Sequence, residues 1–224
     1  MIETERLLLR HIKYEDIDDV FEYAQDEDTG PRAGWPPHKT IEDTKQVMNM
    51  WLDPNHHEEV FGLVYKPDNK VIGTMGVVHL NKHLKDNDNV FANKLIENGK
   101  SVYEVGVTLS KAYWSKGLVT EALSTMLDHL FENLGADVVL TLHYEANIGS
   151  KRVQEKNNMK VLGAYQHKKK WYNTDCTTMV VRGKTREDWE KEKSKDFLGI
   201  TTEKLLEIHP SRTIDSIHTS EKTL

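Results

Sequence analysis

From Leu118 to Phe131 the chain repeats Leu118, Ala122, Met126, Leu130 beside Val119, Leu123, Leu127, Phe131. Two adjacent rows at i, i+4 spacing make a wide apolar stripe, and a helix with such a stripe needs a sheet to lie on. Strands flank it on both sides. "SVYEVGVTLS" (101–110) sets Tyr103, Val105, Val107 and Leu109 on one face and Glu104, Gly106 and Thr108 on the other, the period of two that marks a strand. "DVVLTLHYEA" (137–146) alternates Val138, Leu140, Leu142, Tyr144 against Val139, Thr141, His143, Glu145. Strand, amphipathic helix, strand commits the chain to an α/β architecture.

The remaining segments extend this pattern. "RLLLRHI" (6–12) reads as a first strand, and Ile17, Val20, Phe21 and Ala24 as one face of a helix. "GWPP" (34–37) is a loop, because proline removes a donor and restricts its predecessor. Thr40, with Asp43 three residues on, opens a second helix in a capping-box pattern. "EVFGLVY" and "KVIGTMGVVHL" are strands joined by the turn "KPDN". Residues 82–100 are polar and read as an insertion or long loop. "NIGSKRVQEKNN" (147–158) suits a helix stopping near Asn157 or Asn158, since asparagine tolerates the left-handed backbone that ends helices. "KVLGAYQHKKKWYNTDCTTMVVRGK" (160–184) reads as two strands around a turn at "YNTD". The order β-α-α-β-β-β-α-β-α-β-β predicts an α/β (α+β) fold with a mixed central sheet flanked by helices. After "TREDWEKEK" periodicity fades to a short helix ending before Pro210 and a Ser/Thr-rich tail, so residues 1–193 are expected as one domain and 194–224 as a C-terminal extension.

Composition narrows the function classes. A formal net charge of −6 argues against general nucleic-acid binding and weakly favours cationic partners. No apolar run is long enough to span a membrane, and "MIETERLLLRH" places charges where a signal peptide is apolar; a cytoplasmic location is expected. The single cysteine, Cys176, excludes an internal disulfide and a cysteine-based zinc site. His56-His57, His79, His83 and His143 show no ligand spacing, so no metal is expected. "GKT" (183–185) lacks the upstream glycine of a phosphate-binding loop, that position being Thr178. "HKKKW" (167–171) reads as a lysine-protected edge strand, and Trp35, Trp51 and Trp171 as core or as walls of a pocket.

The start of the wide-striped helix raises a chemical question. First-turn backbone N–H groups lack partners and carry partial positive charge, so a glycine there lets an anion approach them. In "WSKGLVTEA" Gly117 supplies that space, with Ser115 and Lys116 beside it. Read by themselves, these residues better suit a plain helix cap.

The strand "EVGVTLS", then "YWSKGLVTEAL", a further strand and "NIGSKRVQEKNN" together resemble the Gcn5-related N-acetyltransferases, closest to the RimJ/RimL-like branch that acetylates ribosomal-protein N-termini. The resemblance begins at "ETERLLLR", includes "GWPP" and runs to "TREDWE". It implies the acyl-CoA acyltransferase fold, with a mostly antiparallel sheet, and acetyl-CoA as cosubstrate without a metal. It implies that the backbone of Ser115, Lys116, Gly117, Leu118, Val119 and Thr120 holds the pyrophosphate, and that Val107, Thr108 and Leu109 run alongside the pantetheine. Asn147 matches the family's pantetheine-binding asparagine, and Ser150 the serine near the thioester sulfur. Three positions depart from the pattern: Val119 replaces a small residue, Gln154 replaces the tyrosine that protonates the leaving thiolate in many relatives, and Asn158-Met159 replaces Gly-Phe.

Acetyl transfer also needs a proton acceptor, because a free amine is mostly protonated near neutral pH. Glu104 is either that base or a solvated strand carboxylate paired with a lysine; Ser150 either protonates the sulfur or bonds backbone in a first helical turn; Asn147 either binds cofactor or caps. The acceptor is expected to be a primary amine, on a protein N-terminus or on a small molecule such as a polyamine or an aminated antibiotic. An acyl-CoA sensor without turnover, and an interaction protein whose tail pairs two copies into a homodimer, are the competing classes.

Overall fold

In the computed structural model, residues 1–82, 89–171 and 173–195 are described. The chain divides into two compact units, Met1–Lys184 and Thr185–Leu224. Eight strands, β1 (Ile2–Glu3), β2 (Leu7–His11), β3 (Glu58–Tyr65), β4 (Lys70–His79), β5 (Val102–Leu109), β6 (Val138–Tyr144), β7 (Lys160–Gln166) and β8 (Thr178–Thr185), form one sheet in the order β1-β2-β3-β4-β5-β6-β8-β7. The helices are α1 (Ile17–Ala24), α2 (Thr29–Ala33), α3 (Ile41–Trp51), α4 (Val90–Glu97), α5 (Leu118–Glu132) and α6 (Ile148–Lys156).

Strands β1 to β5 pair antiparallel, as do β7 and β8, whereas β5 and β6 are parallel. A parallel pair needs a crossover, and α5 provides it. The parallel ladder is short, running from Val102↔Val138 to Glu104↔Leu140. Beyond it β5 continues along β4 as far as Gly73↔Leu109, while β6 leaves it. The sheet therefore parts between the C-terminal half of β5 and β6.

Each face has its own cover. Val60, Val64 and Val71 form a core with Val20, Tyr23, Ala24 and Met48 of α1 and α3. On the same face Val102, Val138 and Leu140 join Ala92 of α4, with Val78 packed against them. The opposite face of β6 belongs to α6: Thr141 Oγ1 donates to Met159 Sδ at 3.3 Å, and Arg182 ties His143 to Glu155. The α5 stripe is buried at Leu118, Ala122, Leu123, Met126, Leu127, Leu130 and Phe131.

Local expectations are met where the signals are local. The Asp43 carboxylate accepts from the backbone N–H of Lys39 and Thr40 at 2.8 and 2.9 Å. The β3–β4 turn closes at Tyr65↔Lys70 with Asn69 left-handed. Helix α6 ends before Asn158, whose φ is +54°. Others need correction. The polar stretch 82–100 contains α4, capped by Asn89, which accepts from Phe91 and Ala92 N–H at 3.1 and 3.2 Å; residues 83–88, His83 among them, lie outside the described residues. Strand β1 and helix α2 are additional. "HKKKW" is a loop and not an edge strand: β7 stops at Gln166, and Trp171 turns inward to donate from Nε1 to the Arg32 carbonyl at 3.1 Å. Tyr172, in the expected turn, and residues 196–224, with the helix expected before Pro210, also lie outside the described residues. In the second unit, residues 186–195 are helical, and Thr185 Oγ1 accepts from Asp188 N–H at 3.1 Å. Among the described residues no helix is long and apolar enough to cross a membrane.

Candidate active site

The segment before α5 is built from unusual backbone. After a short 3₁₀ turn at Lys111–Tyr113, Ser115 has φ +60° and Gly117 φ +79°, so two left-handed residues flank Lys116. Gly117 is the N-cap, and no side chain caps α5. Ser115 therefore does not serve as a helix cap, and among the described residues no side-chain acceptor meets the first-turn amides. Arg6 braces the loop from beside it: its Nη1 donates to the Lys116 carbonyl at 2.8 Å and its Nε to Glu121 Oε2 at 2.7 Å. A Cβ placed on Gly117 would meet only the Arg6 guanidinium, at 3.5 Å. Open space, unpaired N–H groups and two cationic side chains make an anion cradle here. Val119 is half-buried beside the buried Leu118.

Helix α6 follows β6. Asn147 caps α6, its Oδ1 accepting from Ser150 N–H at 3.1 Å. Ser150 Oγ accepts in turn from Gln154 Nε2 at 3.0 Å, and the same amide donates to the Leu142 carbonyl at 3.3 Å. Gln154 is buried, and its Oε1 has no partner. Asn157 at the far end of α6 donates to the Thr120 carbonyl at 3.3 Å, which fixes α6 against α5. Asn147, Ser150 and Thr120 thus belong to one connected unit.

Glu104 stands on the other face of the sheet. It shares a cross-strand row with Val78 and Glu58, half-buried near the Asn89 cap. Burial pushes its carboxyl up to about 7; a hydrogen bond from Asn89 opposes the rise and the charge on Glu58 adds to it. Among the described residues no lysine pairs with it. Its neighbour Gly106 is exposed, with open space where a Cβ would stand. Val107 and Thr108 are half-buried and Leu109 is buried, at the end of β5 that has left β6.

Of an aromatic wall, Trp171 was among the sequence candidates, whereas Trp114 and Arg32 were not. Arg32 of α2 stacks over both Trp114 and Trp171, 5.5 and 5.7 Å from their centroids, and Trp114 Nε1 donates to the Leu109 carbonyl at 2.8 Å. Trp35 and Trp51 pack partly buried against the α1–α3 core. Gln154 is the other omission: its sequence position marked only a missing tyrosine, and nothing but the α6 spacing of four from Ser150 hints at the contact. Among the described residues no group of three or more His, Cys, Asp or Glu is placed to hold a metal ion.

The arrangement joins an anion cradle and a serine on one side of the parted sheet to a carboxyl titrating near neutrality on the other. Comparisons with known proteins agree on what such a molecule is. Residues 6–160 match the family described as acetyltransferase (GNAT) domain. The uncharacterized N-acetyltransferase p20 of Bacillus licheniformis is 26% identical over 133 residues, covering 58% of this chain and 66% of that protein. Among solved structures, a GNAT-family acetyltransferase from Bacillus anthracis superposes with a TM-score of 0.63 at 23% identity, covering 83% of this chain and 98% of its own. RimL, a ribosomal alpha-N-protein acetyltransferase in complex with coenzyme A, gives 0.65 at 12% identity, covering 83% and 97%. The parted sheet, the uncapped start of α5 and a family match across more than half its length lead to one statement: the chain belongs to the GNAT acetyltransferase family and is an acetyl-CoA-dependent acetyltransferase.

Proposed function

We propose that the chain moves the acetyl group of acetyl-CoA to a primary amine, with Glu104 as the base and Ser150 as the acid. The observation that carries this reading is Glu104, a half-buried carboxyl held near 7 beside the open floor at Gly106 and the parting of β5 from β6. A base of that pKa takes a proton from an ammonium group at neutral pH and remains ionised enough to do so.

The pyrophosphate lies at the backbone N–H groups of Ser115 to Thr120, with Lys116 and Arg6 adding positive charge. Asn147 and the backbone of Val107 to Leu109 hold the pantetheine, and N–H groups of that segment polarise the thioester carbonyl. Glu104 removes the ammonium proton directly or through one water; the amine nitrogen then bonds to the carbonyl carbon and the C–S bond breaks. Ser150 supplies a proton to the departing sulfur and regains one, through solvent, from the nitrogen as the amide forms. Its oxygen already accepts from Gln154, so its O–H points elsewhere, and the Ser150–Gln154 pair does the work of the missing tyrosine.

A protein N-terminus, such as that of a ribosomal protein, is the acceptor suggested by the RimL neighbour. A polyamine is the acceptor favoured by the two carboxylates in one row. Glu104→Gln is expected to lower kcat by about 10²–10⁴-fold while leaving acetyl-CoA affinity unchanged, read by CoA release and by calorimetry. Ser150→Ala lowers kcat with the same binding signature. Wild-type turnover in either variant removes that residue from the mechanism, and acetyl-CoA binding with no CoA release to any amine would make the chain a sensor.

A further inference from the structure

Glu58 is the carboxylate that the mechanism above leaves unused. Register places Glu58 opposite Val78, and Val78 opposite Glu104, so the two glutamates face the same side, two strands apart. The Glu58 side chain does not stay in that row. It leans across Gly76: a Cβ on that glycine would lie 1.5 Å from Glu58 Oε1. Gly76 is itself paired with Gly106, whose face is open. Two glycines side by side on adjacent strands, roughly 5 Å apart, thus make a floor without side chains, with Glu58 over one half and Glu104 beside the other.

A second feature points into the same place. The His56 side chain is only 10% exposed, and its Nε2 is buried without a hydrogen-bond partner, 3.8 Å from Glu58 Oε2. An unsatisfied buried ring nitrogen is costly. Its direction toward one carboxylate oxygen marks His56 as the group that aims Glu58. Glu58 has no lysine or arginine partner among the described residues, so its charge is not used by the fold.

We propose that Glu58, positioned by His56, binds the acceptor over the Gly76–Gly106 floor and selects molecules carrying a second positive charge beside the reactive amine. The proposal rests on the acetyltransferase reading. Glu104 takes the proton of the reacting nitrogen, whereas Glu58 holds a cation that does not react. The recognised chemistry is a compact dication: an aliphatic diamine, or a peptide N-terminus followed by a basic residue.

The full-length protein tests this with acetyl-CoA and four acceptors: 1,4-diaminobutane, n-butylamine, and short peptides beginning Ala-Lys or Ala-Ala. Wild type is expected to prefer each dicationic acceptor by about tenfold or more in kcat/KM, some 1.4 kcal/mol. In Glu58→Gln that preference disappears through KM, with acetyl-CoA affinity unchanged, which also reports an intact fold. His56→Phe weakens the preference in the same direction. A preference confined to the diamine or to the peptide tells which source of the dication the site takes. Equal kcat/KM within each acceptor pair for wild type, or a preference that survives in Glu58→Gln, overturns the proposal. Calorimetric titration of 1,4-diaminobutane into protein holding CoA gives a readout independent of turnover: if no amine is acetylated the acetyltransferase reading fails, while binding lost in Glu58→Gln still supports the carboxylate's role and unchanged binding removes it.

Discussion

A carboxyl near 7 at Glu104 has two consequences that a merely solvated glutamate would lack. As the proposed base it must be ionised, so kcat/KM is expected to rise with pH through about 7 and then level on the enzyme's side of the profile. The second consequence concerns stability. The folded value lies above the ordinary 4.5, so the native protein holds this proton more tightly than the unfolded chain. The stability this adds is complete below about pH 4.5 and lost as pH rises through about 7. Glu104→Gln removes the loss, and at pH 8 the variant is expected to be more stable than wild type by on the order of 1–3 kcal/mol, while at pH 4.5 the two are nearly equal. Urea melts at both pH values check this; equal midpoints at pH 8 would place the carboxyl in ordinary solvent. The residue's strand face was legible from alternation alone. Its elevated pKa was not, because the burial that raises it comes from tertiary packing, and Asn89, which opposes the rise, and Glu58, which adds to it, lie 15 and 46 positions away in the chain.

At the scale of elements, the turn into α5 depends on a segment far away in sequence. The left-handed Gly117 and Ser115 present the first-turn amides outward, and Arg6, just before β2, closes the turn by holding the Lys116 carbonyl. Glu121, one turn into α5, accepts from both the Arg6 backbone and its guanidinium at 2.8 and 2.7 Å. Arg6→Ala removes a cation and lets the turn relax, so acetyl-CoA should bind at least about tenfold more weakly, 1.4 kcal/mol, while kcat at saturation stays near wild type. Calorimetry against acetyl-CoA reads the first and CoA release the second; unchanged affinity would mean that the loop keeps its shape unaided. Helix α5 was legible because its stripe is written in fourteen consecutive residues, Leu118 to Phe131. Helix α4 was not: its buried contacts are few and polar residues surround it, so composition argued for a loop until packing against Val102 and Leu140 decided otherwise.

Taken whole, the sheet is two half-sheets, β1–β5 and β6–β8–β7, held together by the short ladder that ends at Glu104↔Leu140 and by the helix that crosses between them. That break opens the site, and it also removes the backbone bonds that would otherwise fix α6 relative to β5. Buried cations on β8 compensate. Arg182 donates to Glu155 at 2.9 Å, to the Met159 carbonyl at 3.0 Å and to His143 Nε2 at 3.4 Å, and Lys184 Nζ donates to the Asn157 carbonyl at 3.1 Å. Both reach the C-terminal end of α6, where carbonyls are unpaired and the helix dipole is negative. Burial holds His143 below its ordinary pKa, and the Arg182 charge acts the same way; the ring stays neutral, donating from Nδ1 to the Tyr144 carbonyl and accepting at Nε2. None of this was legible in "VVRGK", which reads as an alternating strand; the partners come from α6 and β6. Arg182→Met leaves the Met159 carbonyl without its partner and Glu155 with Lys151 at 3.9 Å, so unfolding free energy should fall by about 2–4 kcal/mol, measured by urea denaturation at neutral pH. Because α6 carries Asn147 and Ser150 at its other end, the folded fraction should also show a raised KM for acetyl-CoA. A full loss of stability with unchanged KM would mean that α5, through Thr120 and Asn157, positions α6 without help from β8.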